Sequence, residues 1–146
     1  MNLAKWIGDK VSKSEAKERL ADLPVSPTKR GDKVPFPIAD KSAYKSKHSN
    51  REINHAITNA KIVTVSLKGL HAIQQSIRGH HVASYIDEPE LLPKGARHPA
   101  AGTPLDAPVV IQQDGKRYIH DGHHRASAAL LSGRDSIRAR LVNFDE

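Results

Sequence analysis

Tyr118-Ile119-His120-Asp121-Gly122-His123-His124-Arg125, followed at once by Ala126-Ser127-Ala128-Ala129-Leu130-Leu131, takes the chain from a strand, through one glycine, into a helix. A helix N-terminus offers backbone N–H groups without intrahelical partners and the positive end of the helix dipole, and both favour an anion. An arginine fork and two titratable imidazoles stand at that same point. The combination suits phosphate recognition or phosphate chemistry.

Working outward, Pro108-Val109-Val110-Ile111 and Arg117-Tyr118-Ile119-His120 frame Gln112-Gln113-Asp114-Gly115-Lys116. Asp-Gly between two β-rich runs is a strong hairpin signal. The helix is expected over 123–132, with Ala126, Ala129 and Leu130 inward and Gly133 as its stop. Ser136 to Val142 alternates apolar and basic residues, as a half-buried strand does, with Arg138 and Arg140 on the face opposite Ile137, Ala139 and Leu141. Lys61 to Ser66 is β-branched and reads as a strand. Leu67, Leu70, Ile73 and Ile77 have helical spacing and predict a helix over 67–77, with a second short helix over 82–86. Residues 88–107 read as a proline- and glycine-bearing loop with a basic patch from Lys94 to His98.

The first third is different. Residues 3–22 read as one or two short helices, with Ser12 or Ser14 as a cap. Residues 24–49 hold Pro24, Pro27, Pro35 and Pro37 among lysines and serines, which predicts an extended linker or surface wrap without a packed core. The organisation expected is a basic helical and proline-rich arm over 1–55 and a domain over 56–146.

The chain has 146 residues, a formal charge of +7 and no cysteine. Disulfides, thiolate catalysis and cysteine-held zinc are thereby excluded. No apolar run is long enough to span a bilayer and Met1 to Trp6 lacks a signal-peptide core, so no membrane partner and a cytoplasmic location are expected. The charge points to an anionic partner, nucleic acid or nucleotide first. Residues 1–60 hold 12 Lys/Arg against 7 Asp/Glu, and residues 61–146 hold 11 against 9, so the surplus lies mostly in the arm.

At the turn, Asp121 reads as a helix cap or turn residue, or as a carboxylate helping to hold a divalent ion beside a phosphate. Gly122 allows close approach of a ligand or a positive φ. His123 and His124 point about 100° apart on a helix, so one is expected to face the ligand while the other orients a loop or packs. Arg125 suits a bidentate phosphate contact. His120, His123 and His124 resemble a crowded zinc site, but no H-E-x-x-H, cysteine or second ligand pair accompanies them. P-loop, G-x-G-x-x-G and nucleophile-elbow patterns are absent.

Over about residues 61–146 the chain resembles the ParB/sulfiredoxin-like superfamily, including its small ParB-like nuclease members of phage and plasmid type. The resemblance rests on five segments in order: Ile62 to Leu67, Leu70 to Gln74, the hairpin of Pro108 to Ile111 with Lys116 to Ile119, the turn and helix Asp121 to Ala129, and Ile137 to Val142. It implies a compact α+β fold with a small mixed sheet and a nucleotide-phosphate site at the turn. Gly122-His123-His124-Arg125 stands where partitioning members bind CTP and sulfiredoxins use ATP. His123 replaces their glutamate or cysteine, so sulfiredoxin chemistry is excluded, and the partitioning family's second arginine motif and helix-turn-helix domain are missing.

The function expected is binding of a nucleotide or nucleic-acid phosphate at 120–125 with nuclease activity. Gly122 and Arg125 would hold the phosphate, with Gln74 and Arg78 bordering it. His123 or His124 would act as acid or base, and Asp121 would help bind Mg²⁺ or Mn²⁺. Lys29, Arg30, Lys45, Lys47 and Arg51 would grip a nucleic-acid backbone. The alternatives are a non-catalytic nucleotide-sensing or DNA-associated phage or plasmid accessory or virion protein, and a small-molecule kinase. A homodimer or a phage or plasmid protein partner fits the first, in host cytoplasm or virion.

Overall fold

The computed structural model describes residues 3–26, 31–92 and 107–146. After a 3-10 turn at Leu3–Trp6, the elements run α1 (Lys13–Ala21), β1 (Asp32–Lys33), α2 (Ser42–Lys45), α3 (Asn50–Asn59), β2 (Ile62–Ser66), β3 (Leu70–Ala72), β4 (Ser76–Ile77) and α4 (Gly79–Asp87). A 3-10 turn at Pro89–Leu91 precedes β5 (Val109–Gln113), β6 (Lys116–Asp121), α5 (His123–Leu131) and β7 (Ser136–Asn143). The fold class is α+β. Among the described residues, no helix is long and apolar enough to cross a membrane.

The hairpin forms where Asp-Gly predicts it. Asp114 and Gly115 take φ of 54° and 74°, the positive values a two-residue hairpin turn requires. The Asp145 carboxylate accepts from both of their N–H groups, at 2.7 and 2.9 Å. Around the hairpin a mixed five-stranded sheet assembles in the order β2-β7-β5-β6-β3. β7 is antiparallel to β2 and parallel to β5, and β3 is parallel to β6.

Side chains alternate across this sheet and build two cores. Val110, Ile119 and Ala139 face α1, α4 and α5, where Leu20, Val82, Ile86, Ala126 and Leu130 complete one cluster. Val109, Ile111, Tyr118 and Val142 face the other way, onto Tyr44 of α2 and Ile53 of α3. In α5 every residue except His124 is buried, so this helix is a central pillar of the fold. Arg19 ties its C-terminus down, donating to the Leu131 carbonyl at 3.2 Å while pairing with Asp9 at 2.7 Å.

Ser12 caps α1, α4 covers the helix expected at 82–86, and α5 stops before Gly133. Arg138 and Arg140 turn away from the Ile137 face and reach Thr64 Oγ1 and the Ala60 carbonyl.

Two expectations are corrected. Residues 67–77 form no helix: Leu70–Ala72 pairs with β6 and Ser76–Ile77 pairs with β1. Their apolar spacing fits a helix, but strand pairing buries Leu70, Ala72 and Ile77 equally well. Residues 24–49 do enter the core, since Val34, Phe36 and Tyr44 are buried there. Pro37 and Ala39 bracket Ala72 with main-chain hydrogen bonds of 2.8 Å on either side, covering the β3 edge. The prolines fit because an edge segment leaves N–H positions outside the ladder. Residues 16–53 contribute to both cores, and a division at 55/56 falls inside α3.

Candidate functional site

β6 delivers Asp121 to the sheet edge, and Gly122 turns the chain into α5. Gly122 is the N-cap, with φ 99° and no capping side chain. A Cβ here would lie 2.7 Å from Cβ of Pro108, so both the left-handed backbone and the close approach require glycine. Asp121 is not the cap. It is exposed at the end of β6, one residue too early to reach the first-turn N–H groups from the N-cap position.

In front of this turn lies a cleft of about 270 Å³. Residues 120–125 form one wall, and Gln74, His81, Ser84 and Tyr85 form the other. Of the sequence-predicted residues, Gln74, Asp121, Gly122, His123, His124 and Arg125 come together here. Arg78, just before α4, has its charge close enough to depress His124. The Gln74 amide donates to the Ser76 carbonyl at 2.8 Å.

The two adjacent histidines share one task instead of dividing two. His123 Nε2 accepts from the Ile73 N–H at 3.1 Å, and His124 Nε2 accepts from the Arg78 N–H at 3.0 Å. Their divergence on the helix lets them grip both ends of one segment, 73–78. A main-chain N–H can only donate, so each Nε2 holds a lone pair and each ring proton sits on Nδ1. Burial, then the neighbouring His124 and His120, pushes His123 down to about 3. Burial, then His81, Arg78 and His80, pushes His124 down to about 4, with Asp121 opposing. Both rings are neutral at pH 7, and the pinned segment keeps them so.

Arg125 is buried, with 4% of its surface exposed, and lines the cleft one turn into α5. His81 packs 5.3 Å from His124, ring to ring. His81, Ser84 and Tyr85 are at i, i+3 and i+4 of α4, a spacing that places them on one face and was the available signal for this wall. His120 lines the cleft as well.

Among the described residues, no group of three or more His, Cys, Asp or Glu converges to hold a metal ion. Among the described residues, Asp121 is the one carboxylate on the cleft wall. That donor set does not fit a divalent ion held by protein ligands alone. Mg²⁺ bound through one carboxylate needs its waters and a substrate phosphate to complete its shell.

The basic residues do not gather. Lys45 adds its charge to burial in lowering His120. Lys47 pairs with Asp114 at the hairpin turn, at the opposite end of six-residue β6 and thus on the order of 17 Å away. Arg51 is exposed on α3. Lys29, Arg30 and the Lys94–His98 patch lie outside the described residues. No family model, curated protein or solved structure matches this chain.

Proposed function

We propose that this chain is a ParB-like domain that binds the phosphate of a nucleotide or nucleic acid in the cleft at the first turn of α5. One observation carries the reading: an uncapped helix N-terminus, a buried arginine and two neutral imidazoles with committed lone pairs all meet one cleft. N–H groups are what those elements offer, and a phosphate is rich in acceptors. The hairpin feeding directly into the turn, beside a mixed sheet, agrees with the element order of the resemblance.

Binding is favoured over hydrolysis by the same geometry. A general base needs an accessible lone pair within reach of a proton. His123 and His124 spend theirs on main-chain N–H groups. The chain is therefore read as a nucleotide-binding module, with nuclease activity as the competing outcome.

Thermal shift with CTP, ATP and inorganic phosphate, with and without Mg²⁺ or Mn²⁺, tests this. A ligand at a hundred times its Kd adds about 2.7 kcal/mol of stability. We expect one of these compounds to raise the Tm by several degrees, and Arg125→Lys to lose most of that rise. A Tm unmoved by all three compounds overturns the proposal. Metal-dependent degradation of DNA that disappears in His124→Ala would put the hydrolytic reading in its place.

A further inference from the structure

The third histidine of the cleft is held differently from the other two. His120 Nδ1 lies 3.0 Å from the hydroxyl of Tyr44, which projects from α2 across the opposite face of the sheet. The Tyr44 side chain is wholly buried, and its ring packs against both Tyr118 and His120.

A buried hydroxyl must donate to something, because an unmet buried donor costs about 1–3 kcal/mol. For Tyr44 the acceptor within hydrogen-bond distance is His120 Nδ1. Burial, then the neighbouring Tyr118, raises the Tyr44 phenol, so it keeps its proton and remains a donor. Nδ1 of His120 therefore carries the lone pair, and the ring proton sits on Nε2. The Nδ1 edge turns to the buried tyrosine, which leaves the Nε2 edge for the cleft that His120 lines.

Resting on the phosphate-binding reading above, we propose that His120 is a ligand-binding residue, donating Nε2–H to a phosphate oxygen in the cleft, and that Tyr44 is the positioning residue that fixes its tautomer. The groups facing His120 suit that role. Lys45 of α2 brings a positive charge to bear on it, Asp121 brings a negative one from the neighbouring strand position, and His123 of α5 is neutral. Burial first, then Lys45, lowers His120, so it meets the ligand as a neutral donor.

The full chain with ¹⁵N-labelled histidine gives the test, by two-bond ¹H–¹⁵N correlation at pH 7.5 during titration with inorganic pyrophosphate. The expected spectrum has His120 protonated on Nε2, and His123 and His124 protonated on Nδ1. Pyrophosphate should move the His120 Nε2–H signal. Tyr44→Phe should turn His120 into a mixture of tautomers and weaken pyrophosphate about fivefold, the scale of one hydrogen bond. His120→Phe should lose as much, while His120→Gln, whose side-chain amide can stand in for Nε2–H, should recover part of it. The His120 variants keep the test open should Tyr44→Phe unfold. His120 protonated on Nδ1, or pyrophosphate moving the amides of His124 and Arg125 but leaving His120 still, overturns the proposal and leaves the phosphate site intact. No movement anywhere in the cleft overturns the phosphate reading itself.

Discussion

At the start of α3, Ser49 Oγ accepts from the Glu52 N–H at 3.1 Å, and the Glu52 carboxylate accepts from the Ser49 N–H at 3.4 Å. At the start of α5, Gly122 has no side chain to offer, and the first turn contains no acidic residue. The first helix satisfies its own N-terminus and its own dipole. The second presents both to a cleft. The positive φ and the Pro108 contact demand glycine at 122, and with it the helix start goes without a side-chain cap. On the reading proposed above, the uncapped start of α5, facing a segment held by His123 and His124, is where the anion binds.

The sharpest way to break this contrast is Gly122→Ala. Positive φ and the Pro108 contact together should remove about 2–4 kcal/mol, read as a lower urea midpoint, with loss of ligand-induced stabilisation. Acid comes next. His123 and His124 have folded values below the ordinary 6.5, so the unfolded chain binds more protons between pH 6.5 and about 3. Stability from these rings is whole above pH 6.5 and falls as pH drops through that window. The slope reaches about 1.4 kcal/mol per pH unit for each imidazole, and a His123→Gln/His124→Gln chain should titrate more flatly. If both chains follow the same pH curve, the two hydrogen bonds to 73–78 do not hold the rings neutral.

Ser49→Ala should lower stability by about 1 kcal/mol, by loss of the capping box, and leave every ligand-induced shift unchanged. An effect of this variant on ligand binding would mean that the two helix starts are coupled. Lys47→Ala should do least. Its partner Asp114 is exposed, as is Lys47 itself, so stability should move by less than about 1 kcal/mol. Binding should hold, because Lys47 stands at the far end of β6. A large drop in nucleic-acid affinity would revive an extended backbone grip through Lys45, Lys47 and Arg51.

Legibility in the sequence follows the range of the interactions. Local signals read well: Asp114-Gly115 marks the hairpin, the β-branched run marks β2, Ser12 or Ser14 marks the start of α1, and Gly133 marks the end of α5. Leu67, Leu70, Ile73 and Ile77 read as a helix because the partners that make strands of this segment, β6 and β1, are remote in sequence. α3 also carries a local signal, since Ser49 and Glu52 spell a capping box, with Ile53, Ala56 and Ile57 as its apolar edge. The proline-based linker reading covers 24–49 and ends just where that helix begins. At the site, the wall contributed by the turn itself was visible in one continuous run. The pinning of 73–78 and the Tyr44–His120 pair were not, since each joins residues 46 to 76 positions apart, and the α4 wall stands 35 to 44 positions from the turn.

The position of β7 bears on how the molecule is made. This strand lies between β2 and β5, yet it is the last strand in chain order. Thr64 and Arg138, paired across β2 and β7, are 74 residues apart. Until β7 arrives, β2 has no neighbour in the sheet, and the hairpin and β2 cannot be joined. The ring-closing cost of so distant a pairing precedes its reward, which makes folding slow and late-committing. The hairpin and α5 can form early from local contacts, so the cleft's turn exists in outline before the sheet that supports it is complete.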